Sequence, residues 1–296
     1  MDADVVLAER EEQVDPDRAR PLIYRTYRPP PPLADLVASF WYYDSYHPPH
    51  ARERVLPSGA MQLIIGLCDE PVRVFDRPPH LHPRSLCGPV LSGAFAGHVV
   101  IGTAAQASIM GVQFKPGGAA PFLGVAAGEL RDADLSLDLL WGARAGELRE
   151  RLRDAGTPEV KFHILAQSLV AHRARPWARH PVVAAALREF HGGPHMRPVS
   201  AVAADSGLSA RRFIQLFEAE VGLTPKVYCR IRRFQRLLRH LSRGPQSTGA
   251  DLAAACGYCD QAHLIHDFRA FSGLTPTAYR VSRARGARRN HVPLGA

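Results

Sequence analysis

The sequence predicts an α+β chain: a β-rich first domain with a helical cap, followed by an all-α second domain. Three observations predict it. Aromatic and β-branched runs, punctuated by Pro and Gly, crowd residues 36–115. Apolar residues recur at helical spacing from 119 onward. One pattern occurs twice in the last hundred residues.

In chain order, residues 1–20 are polar and acidic, read as a disordered leader, and lack the apolar stretch of a secretory signal. Pro29-Pro-Pro-Pro32 reads as extended chain. Residues 40–43, 61–65, 72–75, 99–101 and 109–114 read as strands, the last ending at Lys115-Pro-Gly-Gly118. Residues 119–175 read as helical, with Leu137, Leu140 and Trp141, then Leu148 and Leu152, then Ile164, Leu165, Leu169 and Val170 at helical spacing. This makes 21–175 the first domain, and 171–179, with Pro176 in a basic stretch, the linker.

From Pro181 onward only helices are expected. Val183, Ala186, Leu187 and Phe190 share a face, and Gly192-Gly193 stops that helix. Thr224-Pro225 and Thr275-Pro276 each place a capping Thr before a Pro at the first helical position. The helix from 225 to about 241 carries the stripe Val227, Ile231, Phe234, Leu238 and Leu241. Arg230, Arg232, Arg233, Arg236 and Arg239 take its other faces. At 1.5 Å per residue it spans about 25 Å.

The repeat pairs Gly207 with Gly257 at an offset of 50 and Phe217 with Phe268 at 51, so one residue is inserted in the second copy. Each copy is a short apolar helix, a glycine turn, a second helix and a Gly-x-Thr-Pro stop. That is the outline of a helix-turn-helix, whose second helix enters the major groove of DNA. Two copies on a rigid connector suit two successive turns of one duplex, about 34 Å apart. Charge agrees: residues 180–296 hold 17 Arg and Lys against 7 Asp and Glu, a net of +10. The whole chain is +9, which leaves residues 1–179 at −1. A basic face attracts polyanions and releases DNA counterions.

The pair resembles the DNA-binding domain of the AraC/XylS family of transcription regulators over residues 180–282. Its second copy carries Gly257-Tyr258, Asp260-Gln261-Ala262-His263, Phe268, Gly273-x-Thr275-Pro276 and Tyr279-Arg280. The first domain is similar to the cupin-like regulatory domain of such proteins, through Arg54-Val-Leu-Pro57, the Gly111 to Gly118 turn and Leu135 to Gly142. Residues 283–296 are expected as a basic tail.

The recognition helices are expected over 209–220 and 259–271. In the first, Ala210, Phe213, Leu216 and Phe217 should pack inward, leaving Arg211 and Gln215 outward, flanked by Arg212 and Ile214. Arg pairs bidentately with guanine and Gln with adenine. The resemblance implies DNA contact by Ser209, Arg211, Arg212, Ile214 and Gln215 in the first copy. In the second it implies Gln261, Ala262, His263, Ile265 and His266. The second set is chemically weaker: Ala262 and Ile265 suit thymine methyls, and the histidines are neutral hydrogen-bonders at pH 7.

Several constellations invite other chemistry. Cys256-x-x-Cys259-x-x-x-His263-x-x-His266 has zinc-site spacing, but Cys256 falls where a buried small residue is expected and its face must meet DNA. No metal is expected there, nor at His47-Pro-Pro-His50 and His80-Leu-His82, which read as solvated loop histidines. Cys87 lacks a recognisable base partner. Trp41, Tyr42 and Tyr43 read as core aromatics rather than pocket lining. No catalytic residue and no cofactor are expected. Five cysteines, an odd number, fit a reducing cytoplasm, and no apolar run reaches membrane-spanning length.

The expected function is a sequence-specific regulator of transcription acting on double-stranded DNA and controlled through the first domain by a small-molecule effector, homodimer formation or both. RNA polymerase is a partner if it activates. The alternatives are a constitutive DNA binder with an N-terminal interaction module and an enzyme fused to the same DNA-binding module, like the alkyl-accepting DNA repair regulators.

Overall fold

The computed structural model describes residues 21–76, 82–191, 196–243 and 249–294. The expected leader 1–20, His80 and the Gly192-Gly193 stop lie outside the described residues.

The first domain contributes β1 (Ile23–Tyr27), β2 (Val37–Asp44), β3 (Arg52–Val55), β4 (Gln62–Gly66), β5 (Val72–Phe75), β6 (Pro83–Leu86), β7 (Pro89–Ser92), β8 (Val99–Gly102), β9 (Ser108–Phe114) and β10 (Asp134–Ser136). They form two antiparallel sheets: β1-β2-β9-β4-β7-β10, and a second in which β3, β8, β5 and β6 are neighbours. The cap is α1 (Asp138–Trp141), α2 (Ala143–Asp154) and α3 (Pro158–Ala171). Residues 119–137, expected as helical, instead hold two short 3-10 turns and β10.

Strand alternation divides the first sheet between two environments. Phe40, Leu63, Ile65, Met110 and Val112 are buried toward the helical cap, where Phe40 stacks on Phe162 of α3 at 6.2 Å between ring centroids. The alternate residues face the second sheet, where Val72, Val74, Val90 and Ala105 form a smaller apolar cluster.

The helical half follows as α4 (Pro181–His191), α5 (Val199–Asp205), α6 (Ala210–Val221), α7 (Pro225–Leu241), α8 (Gly249–Cys256), α9 (Gln261–Ser272) and α10 (Pro276–Ala284). Four expected or newly found caps set the helix starts. Ser209, Thr224, Asp260 and Thr275 each accept a backbone N–H from three residues on. The second recognition helix therefore starts at Gln261, and Cys259 lies before it, not within it. Gly207 and Gly257 both turn with positive φ, 70° and 81°, a conformation glycine adopts without Cβ strain.

The halves share one core. Tyr228, Ile231 and Phe234 of α7 belong to the same apolar cluster as Phe40 and Leu63. The Gln235 amide of α7 donates to the Pro57 carbonyl at 2.6 Å. The linker is docked too, with Arg179 donating to the Asp35 and Pro116 carbonyls.

The expected basic tail is corrected. Arg283 and Ala284 finish α10, and β11 (His291–Pro293) pairs antiparallel with β3, adding the last strand to the second sheet of the first domain. Glu53 explains this return. Its carboxylate is 1% exposed and receives the Gln106 amide at 2.6 Å, His291 Nδ1 at 2.7 Å and Arg288 at 3.4 Å. Two of these partners arrive with the C-terminal segment.

Candidate DNA interface and inter-sheet cavity

Helix α6 buries Phe213, Phe217 and Val221 and leaves Arg211, Arg212, Ile214 and Gln215 exposed on its N-terminal half. Ile214 is an exposed large apolar side chain on this face. Ser209 is exposed, and its hydroxyl accepts the Arg212 N–H at 3.3 Å. Ala210, expected to pack inward, is exposed. The C-terminal half of α6 meets the first domain: Glu218 pairs with Arg131 at 3.6 Å, beside the turn Ala127–Leu130. The exposed side chains and the contact with the first domain are thus separated along the length of the helix.

Helix α9 departs further from expectation. Gln261, Ala262 and His266 are exposed, but His263 and Ile265 are half-buried. The His263 ring stands edge-on to Tyr258 at 5.2 Å, and its Nε2 is 3.7 Å from Asp267. Ile265 packs against the core. The Gln261 amide lies against Gly249, where a Cβ would fall 2.5 Å away. The buried Asp267 carboxylate and the Tyr258 ring thus hold His263 half-buried.

The connector arginines hold the second unit. Arg230 binds the buried Asp267 at 2.6 Å and lies over Phe271. Arg233 lies over the Tyr258 ring, and Arg236 donates to the Cys256 carbonyl at 3.2 Å. The sequence shows these arginines without showing that three of them face protein.

Cys256 is fully buried, and burial pushes its thiol up to about 11, while Cys259 is exposed. Among the described residues, no three His, Cys, Asp or Glu side chains are grouped to hold a metal ion. His50 is directed at Glu53, at 3.3 Å. Cys87 is exposed.

A cavity of about 330 Å³ lies between the two sheets. Trp41 and Tyr43 line it, whereas Tyr42 is buried on the cap side. The expectation that all three are core aromatics is therefore corrected for two of them, as alternation along one strand requires. Arg288, Asn290 and His291 complete the wall from the C-terminal segment. Among the described residues, no helix is long and apolar enough to cross a membrane.

A basic all-α half with two capped helix-turn-helix units, behind a two-sheet domain, defines a DNA-binding regulator of transcription. Residues 202–282 match the family model of a helix-turn-helix domain, and 25–136 match a domain of unknown function (DUF6597). No curated protein matches. Among solved structures, the DNA-binding domain of AdpA, a global transcriptional factor in complex with a target DNA, is 30% identical. It covers 36% of this chain and 92% of that chain, with a TM-score of 0.30. A regulator with an AraC-type DNA-binding domain from Chromobacterium violaceum is 23% identical over 36% and 96%, with a TM-score of 0.32. Fatty-acid-bound ToxT from Vibrio cholerae is 7% identical over 92% and 97%, with a TM-score of 0.45. The chain belongs to the AraC/XylS family of transcription regulators.

Proposed function

We propose that this regulator reads two successive major grooves with α6 and α9, and that the occupant of the inter-sheet cavity sets its affinity for DNA. One observation carries the control: the cavity wall includes Arg288, Asn290 and His291, which directly follow the last helix of the DNA-binding half. A small molecule there touches both halves at once. Its effect on DNA binding equals its differential affinity for the competent and incompetent states.

Arg211, Arg212, Ile214 and Gln215 are the main readers, with Ser209 at the helix start; Gln261, Ala262 and His266 read more loosely. His263 and Ile265 support the second helix rather than read bases. The chain acts in the cytoplasm by binding and not by turnover. The exposed Cys87 and buried Cys256 supply no activated nucleophile.

The test is to sequence the genomic fragments retained by the full chain. Enriched sites should hold two half-sites about 10 bp apart, one helical turn. A single half-site, or retention without sequence preference, overturns the two-groove reading. A metabolite panel that never shifts operator affinity overturns the control.

A further inference from the structure

The strand register gives the cavity a polar end and an apolar body. Asp134 pairs with Ser92, Ser92 with Gln62, Gln62 with Gln113 and Gln113 with Ser39, so these five side chains form one row across β10, β7, β4, β9 and β2. All five line the cavity. Two residues along, on the same face, the next row is Val90, Ile64, Gly111 and Trp41. Gly111 lets the Trp41 ring lie flat against the sheet, since a Cβ there would fall 2.5 Å from the ring. The second sheet closes over with Val74, Val99 and Ile101.

The charges in this wall are unequal. Arg288 is already matched, by Glu53 at 3.4 Å and the Tyr43 hydroxyl at 2.8 Å. Asp134 is not: its Oδ2 is buried with no hydrogen-bond partner. Burial raises its pKa, offset in part by the Ser92 hydroxyl and by Arg84, an exposed guanidinium on β6. A buried carboxylate with a free oxygen is stabilised by a donor, and most by a charged one.

We propose that the cavity takes a small cationic amphiphile, an aromatic or aliphatic body bearing an amine or amidine whose nitrogen donates to Asp134. The Gln62 and Gln113 amides and the Ser92 hydroxyl surround the nitrogen, and the body lies against Trp41 and Ile64. The Trp41 ring also attracts a cation. An acid would set a second carboxylate beside Asp134, where like charges repel. This rests on the reading of the cavity as the effector site.

The experiment titrates the full chain with 3-phenylpropylamine, 3-phenylpropanol and 3-phenylpropionate by calorimetry, with Trp fluorescence as a second readout. The amine should bind at least about tenfold more tightly than the acid. Asp134→Asn should bring amine and alcohol level, and Asp134→Ser is the second variant should the first fold poorly. The acid binding as tightly as the amine, or an amine preference that survives both variants, overturns the cationic class. If that acid binding is lost when Ile64→Trp fills the cavity, the effector site stands and only the ligand class falls. If none of the three probes binds, the cavity reading falls, and the proposal with it.

Discussion

The guanidinium of Arg288, four residues beyond the last helix, donates to the Tyr43 hydroxyl at 2.8 Å and lies 5.2 Å over the Tyr43 ring. It joins the end of the DNA-binding half to the aromatic wall of the cavity. Tyr46 lies on the same guanidinium at 4.9 Å, and Glu53 neutralises it. The Tyr279 hydroxyl of α10 donates to the Arg289 carbonyl at 2.9 Å, which fixes the turn between helix and strand. This bond ties the segment leading into β11 to α10, the helix that follows α9.

Acid should undo this junction through Glu53. Burial opposes its charge, but the His291 hydrogen bond, the Arg288 guanidinium and the Gln106 amide outweigh burial and hold its pKa at about 2 against an ordinary 4.5. A depressed carboxylate contributes stability that is present above 4.5 and lost as pH falls through about 2. The contribution is about 3 kcal/mol. Denaturant unfolding from pH 6 to 2 should show wild type losing that much more than Glu53→Gln. Parallel pH profiles for the two proteins would refute the assignment.

The pair Arg230 and Asp267 should behave as one unit. Asp267 is 1% exposed, and Arg230 is the cation that reaches it, at 2.6 Å. Removing Arg230 strands the buried Asp267 carboxylate, so Arg230→Ala should cost about 3 kcal/mol, whereas Asp267→Ala should cost less because the Arg230 side chain is 32% exposed and stays hydrated. The double variant should cost much less than the sum. Additive losses in urea unfolding would show that the pair is not coupled.

These two relationships mark what the sequence does and does not reveal. Caps are local: Thr224 and Thr275 are legible because each hydroxyl needs only the N–H three residues on. The tandem repeat and the apolar face of α7 are legible for the same reason. The strand Arg52–Val55 is not among the segments that read as strands, and two of the partners of its buried Glu53, Arg288 and His291, lie more than 230 residues away. The return of β11 is hidden with it. Trp41 and Tyr43 show their alternation, but only a second sheet makes their face a cavity rather than a core. His263 reads as fully outward by helical angle alone; its contacts with Tyr258 and Asp267 leave it half-buried.

Thiol labelling should separate the cysteines by burial. The Cys256 thiol is pushed up to about 11 and that of Cys229 to about 12, both by burial. Cys87 and Cys259 are exposed. An aromatic disulfide reagent at pH 8 should label Cys87 and Cys259 in the native protein within minutes and reach Cys229 and Cys256 only on unfolding. Fast labelling of native Cys256 would mean that α8 opens away from the Arg236 side chain that holds its last carbonyl.

Specificity should reside in α6. Arg211 and Gln215 are exposed on its N-terminal half, away from the Glu218 contact with the first domain, so their substitution leaves the core and the inter-domain packing intact. At the preferred site Arg211→Ala and Gln215→Ala should each cost about 1–3 kcal/mol and relax one base position, with little change in affinity for random duplex. His263→Ala acts differently, because the ring packs on Tyr258 and faces Asp267. It should lower stability and weaken all sites together. Ala262→Gly and His266→Ala should shift the preferred sequence less than the α6 variants. Selection from a randomised duplex pool, run on all five variants at one salt concentration, decides the matter. If the α9 variants change the selected motif more than Arg211→Ala and Gln215→Ala do, the roles of the two helices are reversed.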